Sequence, residues 1–536
     1  MKIHSNKSKK TKFTVLITTS GVGSRLGNFS KYTNKSLIVV GSKPVIAQII
    51  DKYPPDTNFV ITLGHYGNYV KEFLTLCYPE ISFRFIEVNP FDGPGSSLGY
   101  SILCARDYLQ EPFIYHASDT LILNSEIPQV NTNWVAGFKG IDATNYASFD
   151  IQGELVETFH SKGMTEFDFI HIGLIGIHSY KYFWLKLEQL VSEQSSNKEL
   201  NDVTVISEMM KDNVKFNVKV FTDWIDIGNA NSLVLAKKKL GSSLNVLEKP
   251  EESVSFLNNT VVKFFSDSQV VANRIKRTAF LEGTIPKLKK TGTNFYTYDF
   301  HEGQVMSDSI NPETISTLLN WAQINLWSKT PTNIIENFKS ISEDFYSTKS
   351  IFRINTFIES RSIKDEQNLI NNMSIPSAKS LVMIAKPYLI ENLKIGRFHG
   401  DFILDNILTS TSGFKLIDWR EDFGGNFEFG DIYYDIAKLN HSLHINHGLV
   451  KNGDFFISTN HSEIKCGILR KDVHVEMERN LQKFTDSEGL NWKKIEILTA
   501  LIWLNMAPLH HHPFDKFLYY YGRYHLQRAL NVQEKI

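Results

Sequence analysis

The sequence predicts an α/β protein of two consecutive parts: an N-terminal mixed sheet with helices on both faces, then a C-terminal α+β part. Its length of 536 residues exceeds what one hydrophobic core supports. Near the start, the β-branched run Phe13–Thr18 (FTVLIT) leads into a glycine-rich turn, and strand and helix patterns then alternate. In the second half, Phe398–Trp419 (FHGDFILDNILTSTSGFKLIDW) interleaves acids with two short apolar strands.

The composition is that of an ordinary globular protein. Hydrophobic residues make up 42%, charged residues 21%, and the net charge is −1, so nothing suggests a polyanion-binding surface and we expect no nucleic-acid partner. No stretch approaches the ~18–20 apolar residues of a membrane span, and no apolar signal-peptide core follows the start. Cys77, Cys104 and Cys466 lack the spacing of disulfides or zinc sites. We expect a cytoplasmic enzyme and leave a homo-oligomer open.

The first strand runs directly into Ser20–Leu26 (SGVGSRL). A strand ending in such a turn offers backbone N–H groups to phosphate, and glycine permits close approach. Asn34–Leu37 (NKSL) and Gly41–Ile46 (GSKPVI) follow. Together these segments resemble the N-terminal motif of sugar-phosphate nucleotidyltransferases, GxGxR(L/M) followed by PKxLxxVxxKPxI, although Asn34 replaces the usual proline.

This resemblance implies a GT-A-like, Rossmann-type sheet. It also implies that Gly21, Gly23 and Arg25 hold the triphosphate of a nucleotide and that Lys35 stabilises charge on the reacting phosphates. Arg25 and Lys35 are therefore predicted catalytic residues.

The following segments fit an open α/β sheet, with a strand at Asn58–Leu63, a helix near residues 69–77 and a strand at Ile81–Val88. Gly93–Gly99 (GPGSSLG) then resembles the family's loop that contacts base and sugar, which predicts Gly95 and Ser96 as nucleotide-binding residues.

One acid, Asp119, follows the predicted strand Pro112–His116, and an acid at the end of a central strand suits a Mg²⁺ ligand. The resemblance assigns it as the family's metal aspartate. A sugar-transferring enzyme of this sheet type usually has DxD here, and position 117 is alanine.

Three later segments complete the resemblance, which covers residues 12–240. Lys162 matches the family's nucleotide-binding lysine, Ile172–Ile177 (IGLIGI) a core strand, and Asp226 in Trp224–Asn229 (WIDIGN) the second metal ligand. Alternatively, Lys162 is a surface lysine and Asp226 is an acid in a turn.

A boundary is expected where polar residues with Gly and Pro separate two patterned regions. We place it at residues 241–252, between domains at 1–240 and 253–536. Two short strands with a turn at Asn258-Asn259 follow. Lys263 lies in the second, where a buried ammonium needs an anion.

The second motif is His399-Gly400-Asp401, with Asn406 five residues after the aspartate and Asp418 after the second apolar strand. Phosphoryl transfer needs a carboxylate to accept a hydroxyl proton and oxygen ligands for Mg²⁺. The alternative is a plain β-hairpin with surface acids.

This motif resembles the catalytic segment of the aminoglycoside phosphotransferase and choline kinase family, HGDxxxxN followed by IDW or IDF. The resemblance implies a two-lobed, protein-kinase-like domain, with an N-lobe at about 253–310 and a C-lobe at about 311–536. It assigns Asp401 as catalytic base and Asn406 and Asp418 as Mg²⁺ ligands. Lys263 paired with Glu282 would position the ATP phosphates, with Glu302 as the rival acid.

Residues 313–392 are predicted to be mostly helical. Gly430–Ala437 (GDIYYDIA) resembles the segment of the kinase family that starts a helix over the active site, so Asp431 is a candidate cap and Asp435 a candidate for orienting the catalytic loop.

We interpret His510–His512 as loop histidines rather than metal ligands. Trp503 and Tyr519–Tyr521 are candidates for an acceptor pocket.

Together the two parts predict a bifunctional enzyme. ATP would phosphorylate a small hydroxyl compound (a sugar, amino alcohol or polyol), and a second NTP (CTP, UTP or GTP) would donate a nucleotidyl group to the product, with Mg²⁺ at both sites. The activated compound would serve surface glycan or lipid synthesis.

Alternatives are a fused CTP:phosphocholine cytidylyltransferase–choline kinase, a kinase with a non-catalytic regulatory nucleotidyltransferase-like domain, and an antibiotic-modifying kinase. The chain lacks the HRD motif of protein kinases.

Overall fold

A computed structural model describes residues 12–140, 142–193, 200–241, 250–331, 336–460 and 463–531. The chain divides into two compact units. The first comprises Met1–Ser268 and Lys289–Phe300, and the second Gln269–Leu288 and His301–Ile536. The predicted linker lies largely outside the described residues, so the boundary at 241–252 stays a prediction.

The strands up to residue 299 are β1 (Thr14–Thr18), β2 (Val39–Val40), β3 (Lys43–Pro44), β4 (Asn58–Leu63), β5 (Ser82–Glu87), β6 (Phe113–Ala117), β7 (Thr120–Ile122), β8 (Trp134–Phe138), β9 (Ser148–Gln152), β10 (Leu155–His160), β11 (Phe169–Ile177), β12 (Asn217–Phe221), β13 (Trp224–Asp226), β14 (Glu252–Leu257), β15 (Thr260–Phe265), β16 (Leu288–Thr291) and β17 (Phe295–Asp299). The helices of the first unit are α1 (Val45–Ile50), α2 (Gly67–Cys77), α3 (Leu98–Leu103), α4 (Tyr180–Glu193), α5 (Asp202–Lys211) and α6 (Ala230–Lys239).

A mixed sheet with the strand order β5-β4-β1-β6-β11-β8-β12-β10-β9 organises the first unit. β1 pairs in parallel with β4 and β6, whereas β11 pairs antiparallel with β6. Val15 and Ile17 of β1 pack in the core beneath α1, α2 and α6, and Leu16 packs in the opposite core with α3, α4 and α5. Because both faces are covered, all of β1 is buried, as its unbroken apolar run predicts. The predicted mixed α/β sheet with helices on both faces is confirmed.

A second, four-stranded sheet has the order β14-β15-β17-β16. β14 and β15 form the predicted hairpin, turned by Asn258 and Asn259 with φ angles of +43° and +62°. Asparagine tolerates this left-handed conformation better than most residues, which suits a tight hairpin turn. Phe264 of β15 packs against Tyr69 of α2, with ring centroids 5.2 Å apart. This sheet therefore shares the core of the first unit.

The remaining strands are β18 (Gln304–Val305), β19 (Asn368–Ile370), β20 (Met373–Ile375), β21 (Ile395–Arg397), β22 (Ile407–Ser410), β23 (Gly413–Leu416), β24 (Phe429–Asp431), β25 (Phe455–Thr459) and β26 (Ile464–Ile468). The remaining helices are α7 (Ser268–Arg277), α8 (Pro312–Ala322), α9 (Phe338–Glu343), α10 (Lys349–Arg361), α11 (Ala378–Ile390), α12 (Ile432–His444), α13 (His447–Asn452), α14 (Asp472–Ser487), α15 (Trp492–Met506) and α16 (Phe514–Asn531).

Helices α12, α15 and α16 form the centre of the second unit. Every residue of α12 except Lys438 is buried. Trp503 of α15 and Tyr519 of α16 are only 1% and 0% exposed. These two side chains belong to the helical core, which corrects their interpretation as pocket residues. None of the described helices is long and apolar enough to cross a membrane.

The helical prediction for residues 313–392 is correct for α8 to α11 and wrong for one hairpin. β19 and β20 pair antiparallel and join β25 and β26 in a four-stranded sheet. Asn371 and Asn372 make the turn with φ angles of +48° and +63°. The same Asn-Asn pair marks the β14–β15 hairpin, so the sequence carried a usable turn signal here.

Candidate active sites

In the first unit, the predicted phosphate-binding turn lies where two parallel strands end side by side. β1 and β6 are paired in register, and the Ser118 hydroxyl donates to the Thr18 carbonyl at 2.8 Å, which holds the two following loops together. Open α/β sheets bind ligands at the carboxyl ends of such strands. The turn containing Gly21 and Gly23 and the acid Asp119 therefore lie at one sheet edge.

The conformation of this turn depends on glycine. Gly23 has φ +71° and ψ +33°, a left-handed conformation that glycine adopts without strain. A Cβ added to Gly21 would meet no atom within 4 Å, so its backbone borders free space. The 3₁₀ segment Ser24–Ser30 follows and carries the exposed Arg25. The turn can accordingly be approached by a ligand the size of a phosphate group.

The two predicted metal carboxylates meet through a short two-stranded ladder. β13 pairs antiparallel with β7, with Asp226 opposite Thr120, and the Ile227 N–H donates to the Asp119 carbonyl at 3.1 Å. A Cβ added to Gly228 would lie 3.1 Å from Asp226 Oδ1 and 3.4 Å from Asp119 Oδ2. Both carboxylates therefore border one small space, which a larger side chain at position 228 would fill.

Two cations face the same space. The Lys35 ammonium lies 3.1 Å from Asp119 Oδ2, and a guanidinium nitrogen of Arg25 lies 3.7 Å from the added Cβ of Gly228. Burial by itself would raise the pKa of Asp119, but the charge and hydrogen bond of Lys35 and the charge of Arg25 outweigh it, and the pKa is lowered. Asp119 is thus an ionised carboxylate at neutral pH. The structure brings Arg25, Lys35, Asp119 and Asp226 together.

Asn34, the residue before Lys35, positions this lysine. Its fully buried amide donates to the Thr19 carbonyl at 2.8 Å and to the His65 carbonyl at 2.6 Å. Its oxygen accepts from the Ser36 N–H at 2.9 Å and caps the 3₁₀ turn Lys35–Leu37. The side chain thereby fastens the lysine-bearing turn to the ends of β1 and β4. Sequence reasoning recorded this position only as a departure from the motif.

Replacing Asn34 by alanine is expected to lower the free energy of unfolding by about 2 kcal/mol, because the buried Thr19 carbonyl and the partly buried His65 carbonyl lose their donor. The rate of nucleotidyl transfer should also fall as Lys35 loses its support. Urea denaturation and pyrophosphate release measure the two effects. Asn28→Ala, at an exposed position of the neighbouring 3₁₀ segment, is the matched control. Equal stability of the two variants would contradict the positioning role.

Tyr146 is a contact that sequence reasoning missed. Its hydroxyl donates to Asp226 Oδ2 at 3.0 Å, while the Gly228 N–H donates to Asp226 Oδ1 at 3.0 Å. Burial, followed by the charge of Asp226, raises the pKa of Tyr146 to about 12, so it remains a donor. No motif surrounds this tyrosine, and nothing in the sequence alone singled it out. These two bonds fix the orientation of the Asp226 carboxylate.

The remaining predicted residues of this unit lie on exposed loops. Gly95 is exposed, and Ser96 donates through its hydroxyl to the Gly93 carbonyl at 2.7 Å. Lys162 is exposed in the turn after β10. Within the described part of the chain, no hydrogen bond or ion pair joins these three residues to the carboxylate cluster. Their assignment as nucleotide-binding residues stays a prediction.

The carboxylate cluster suits a divalent cation bound together with phosphates. Mg²⁺ prefers oxygen ligands, and Asp119 and Asp226 present two carboxylates to one space, with Lys35 and Arg25 beside it. Across the described residues, no group of three or more His, Cys, Asp or Glu side chains is arranged as a metal site, and this includes His510–His512.

In the second unit, the two short apolar strands predicted in Phe398–Trp419 pair as the β22–β23 hairpin. The strands pair from Ile407 opposite Leu416 to Ser410 opposite Gly413. Asn406 precedes β22, and its carbonyl accepts the Ile417 N–H at 2.9 Å. Asp418, the next residue, therefore lies at the same end of the hairpin as Asn406.

Each carboxylate oxygen of Asp401 has its own partner. Asn406 donates through its side-chain amide to Oδ2 at 3.0 Å, and the Lys438 ammonium lies 2.7 Å from Oδ1. Lys438 was not predicted, although it lies three residues after Asp435 on α12 and so shares its helix face. Asp401 and Asn406 are thus brought together as the motif predicts.

Asp435 orients the loop before Asp401. Its carboxylate accepts the backbone N–H of His399 at 2.7 Å and of Gly400 at 2.6 Å, and the Trp327 indole N–H at 3.1 Å. Gly400 has φ +87°, and a Cβ there would lie 2.5 Å from Cβ of Arg420. The predicted orienting role of Asp435 is confirmed. Asp431 likewise caps α12 by accepting the Tyr433 N–H.

Replacing Asp435 by alanine should destabilise the protein by about 3 kcal/mol or more, because three buried N–H donors lose their acceptor. Kinase activity should fall with it as the Asp401 loop loses its orientation. Chemical denaturation of the full chain and ADP release are the measurements. Asp405→Asn, a change at a half-buried aspartate in the same loop region, provides the control. A denaturation midpoint like that of the control would contradict this role.

His399 and Asp418 differ in what they can contribute. Burial lowers the pKa of the fully buried His399 to about 4, so this ring is neutral at pH 7. Asp418 adopts a left-handed φ of +58°, which is uncommon for a residue other than glycine. Its Oδ1 lies 3.8 Å from a guanidinium nitrogen of Arg274. An amide oxygen and a carboxylate at one hairpin end fit Mg²⁺.

The predicted ATP-positioning pair falls in different units. Lys263 lies in β15 of the first unit and is 5% exposed. Glu282 is exposed, a few residues after α7 of the second unit. The ion pair between them stays a prediction, as does the rival pairing with Glu302.

Comparison with known proteins gives structural likenesses only. No family model and no curated protein matches the chain. A CTP:phosphocholine cytidylyltransferase from Streptococcus pneumoniae is 13% identical with a TM-score of 0.37, covering 43% of this chain and all of its own. An inositol-1-phosphate CTP transferase from T. maritima is 14% identical with a TM-score of 0.35, covering 43% and 98%. A UDP-glucose pyrophosphorylase from Acinetobacter baumannii is 13% identical with a TM-score of 0.36, covering 43% and 94%. At such scores, the assignment below depends on the geometry of the two sites.

Proposed function

We propose that the chain is a bifunctional enzyme that phosphorylates a small hydroxyl compound with ATP and then joins the phosphorylated product to a nucleoside monophosphate. The observation that carries the proposal is the convergence of Lys35, Asp119 and Asp226 in one unit. The arrangement of Asp401 and Asn406 in the other unit supports the kinase half.

In the nucleotidyl-transfer step, a phosphomonoester oxygen of the acceptor attacks the α-phosphorus of an NTP. The new O–Pα bond forms as the bond from Pα to the α–β bridging oxygen breaks, and pyrophosphate leaves with that electron pair. Mg²⁺ held by Asp119 and Asp226 would neutralise charge on the triphosphate. Lys35 and Arg25 would bind the phosphate oxygens, and the backbone N–H groups after β1 would complete the phosphate site.

In the kinase step, the hydroxyl oxygen of the acceptor attacks the γ-phosphorus of ATP. The bond from Pγ to the β–γ bridging oxygen breaks and ADP leaves, while the hydroxyl proton passes to Asp401. Asn406 and Asp418 would hold Mg²⁺ on the phosphates. Lys438 and Asn406 hold the two oxygens of Asp401 at 2.7 Å and 3.0 Å, which orients the base towards its substrate.

The two steps form a sequence because a kinase makes the phosphomonoester that a nucleotidyltransferase consumes. The final product is an NDP-activated compound, the kind of donor that a transferase uses to build a surface glycan or lipid. A purely regulatory N-terminal part would not need Lys35, Asp119 and Asp226 to converge, so we favour two active sites.

The test is a product screen by mass spectrometry with purified full-length protein, ATP, Mg²⁺, CTP, UTP and GTP, and a panel of hydroxyl compounds. Supplying phosphorylated compounds directly tests the nucleotidyl-transfer step alone. A coupled assay measures the pyrophosphate that this step releases. An NDP-linked product from hydroxyl compound and ATP supports the proposal. Phosphorylation without pyrophosphate release from any phosphomonoester would leave only the kinase, and absence of both products would overturn the proposal.

A further inference from the structure

A cleft of about 220 Å³ in the second unit lies beside the predicted catalytic base. Its charged lining consists of Lys349, Arg353, Arg420, Glu421 and Lys438. Apart from the amide of Asn505, the rest of the lining is aromatic, aliphatic or thioether, and comes from the segment 345–346, from α12, from α15 and from Leu509. The cleft is therefore a largely apolar space in which four of the five charged groups are cations.

The cleft reaches Asp401 through Lys438. This lysine lines the cleft and also lies 2.7 Å from Asp401 Oδ1. The Arg420 N–H donates to the His399 carbonyl at 3.1 Å, so a second lining residue is attached to the HGD loop. The cleft therefore borders the loop that carries Asp401.

The acidic groups near the cleft satisfy only two of the four cations. Glu421 Oε1 accepts from Arg420 at 3.2 Å, and Asp401 pairs with Lys438. In the part of the chain that the structure describes, neither Lys349 nor Arg353 has an ion-pair partner. Lys349 instead lies over the Phe345 ring, 4.7 Å from its centroid. Two cations are thus left to interact with whatever occupies the cleft.

Lys349 and Arg353 lie four residues apart on α10, so they project from the same helix face. Like charges at this spacing repel, and partial burial increases the cost. Burial, then the charge of Arg420, lower the pKa of Lys349 to about 7 and also lower the pKa of Arg353. An anion placed between the two side chains would relieve this repulsion and keep Lys349 protonated.

We propose that the acceptor of the kinase reaction is an anionic hydroxyl compound, whose carboxylate or phosphate binds Lys349 and Arg353 while its hydroxyl faces Asp401. This inference rests on the kinase half of the proposed function and narrows its substrate class. A cationic amino alcohol such as choline would meet uncompensated like charges here, so the cleft disfavours the choline kinase alternative.

The first test compares acceptors of similar size and different charge. Purified full-length protein with ATP and Mg²⁺ is given glycerol and glucose (neutral), glycerate and glucuronate (carboxylates), glycerol 3-phosphate and glucose 6-phosphate (phosphates), and choline and ethanolamine (cations). ADP release gives kcat/KM, and mass spectrometry identifies the product. We expect transfer to a carboxylate or a phosphate compound with kcat/KM at least tenfold above its neutral counterpart, and whichever of the two classes reacts identifies the anion.

The second test changes the two cations. Lys349→Gln and Arg353→Gln should each raise KM for the anionic acceptor about 10- to 100-fold, the size expected for a charge-assisted hydrogen bond. KM for ATP should change less than twofold. Lys349→Arg and Arg353→Lys should recover most of the affinity, which a purely structural role would not predict. Lys483→Gln, at an exposed lysine of α14, is the matched control.

The outcomes separate this inference from the function on which it rests. Preferred transfer to glycerol, glucose, choline or ethanolamine would leave the kinase assignment standing and overturn the anionic acceptor. A rise in KM for ATP with an unchanged KM for the acceptor would show that the cations bind nucleotide, which also overturns the inference. Transfer to none of the compounds would count against the kinase itself.

Discussion

Replacing Asp401 by asparagine should lower the kinase kcat by about 10³-fold, because general-base catalysis typically contributes 10²- to 10⁴-fold. The change keeps the size of the side chain and its contact with Asn406, so the protein should fold and bind ATP. Pyrophosphate release from a supplied phosphomonoester and NTP should be unaffected, because the carboxylates proposed for that step lie in the other unit. ADP release and pyrophosphate release are measured on the same preparation.

Asp405→Asn is the control, since Asp405 lies in the same loop region and accepts the Ser307 hydroxyl at 2.9 Å. The control should retain near-normal kinase kcat. A folded Asp401→Asn protein with full kinase activity would refute the role of Asp401 as base. An equal loss in the two variants would point to damage of the loop rather than loss of the proton acceptor.

Replacing Asp119 by asparagine should produce the opposite pattern. Nucleotidyl transfer should fall about 10³-fold, because a metal ligand that stabilises several kcal/mol of transition-state charge is lost. Lys35 also loses its charged partner at 3.1 Å. ADP release from ATP and the acceptor should continue at the normal rate. ADP release and pyrophosphate release are again measured on the same preparation. For Asp119→Asn, pyrophosphate release should fall and ADP release should not.

Two further changes sharpen this second prediction. Asp226→Asn should resemble Asp119→Asn, because both carboxylates border the space in front of Gly228. Asp107→Asn should be silent, since its side chain is 87% exposed and outside the cluster. Weaker dependence of the residual rate on Mg²⁺ concentration would support loss of a metal ligand. If either Asp119→Asn or Asp401→Asn abolished both activities in a folded protein, two independent active sites would be wrong.

Local patterns in the sequence determined the elements that carry both sites. The apolar run of β1 specifies a strand buried on both faces, and the glycine after it specifies a left-handed turn. The motif around Asp401 specifies a hairpin with Asn406 and Asp418 at one end. These features depend on side-chain periodicity and on backbone conformations that few residues tolerate, so neighbouring residues contain the information.

Contacts between residues distant in the chain were decided only by the tertiary structure. The β14–β17 sheet follows the predicted linker in sequence, yet it packs on α2 because Phe264 and Tyr69 bury each other's rings. Tyr146 reaches Asp226 across 80 positions, and no local pattern marks such a pair. The position of each of these side chains depends on how whole elements pack.

For the cationic cleft, too, the sequence shows the residue types and only the tertiary structure shows that they lie together. A sequence shows that Lys349, Arg353, Arg420 and Lys438 are basic, but not that they line one space with a single carboxylate among them. Their joint charge becomes visible only when α10, α12 and the segment after β23 are packed together. The sequence alone determined which residue types each motif carries, and these are the types that the proposed reactions need. The tertiary structure decided which charges share one space, because that depends on how elements distant in the chain pack against one another.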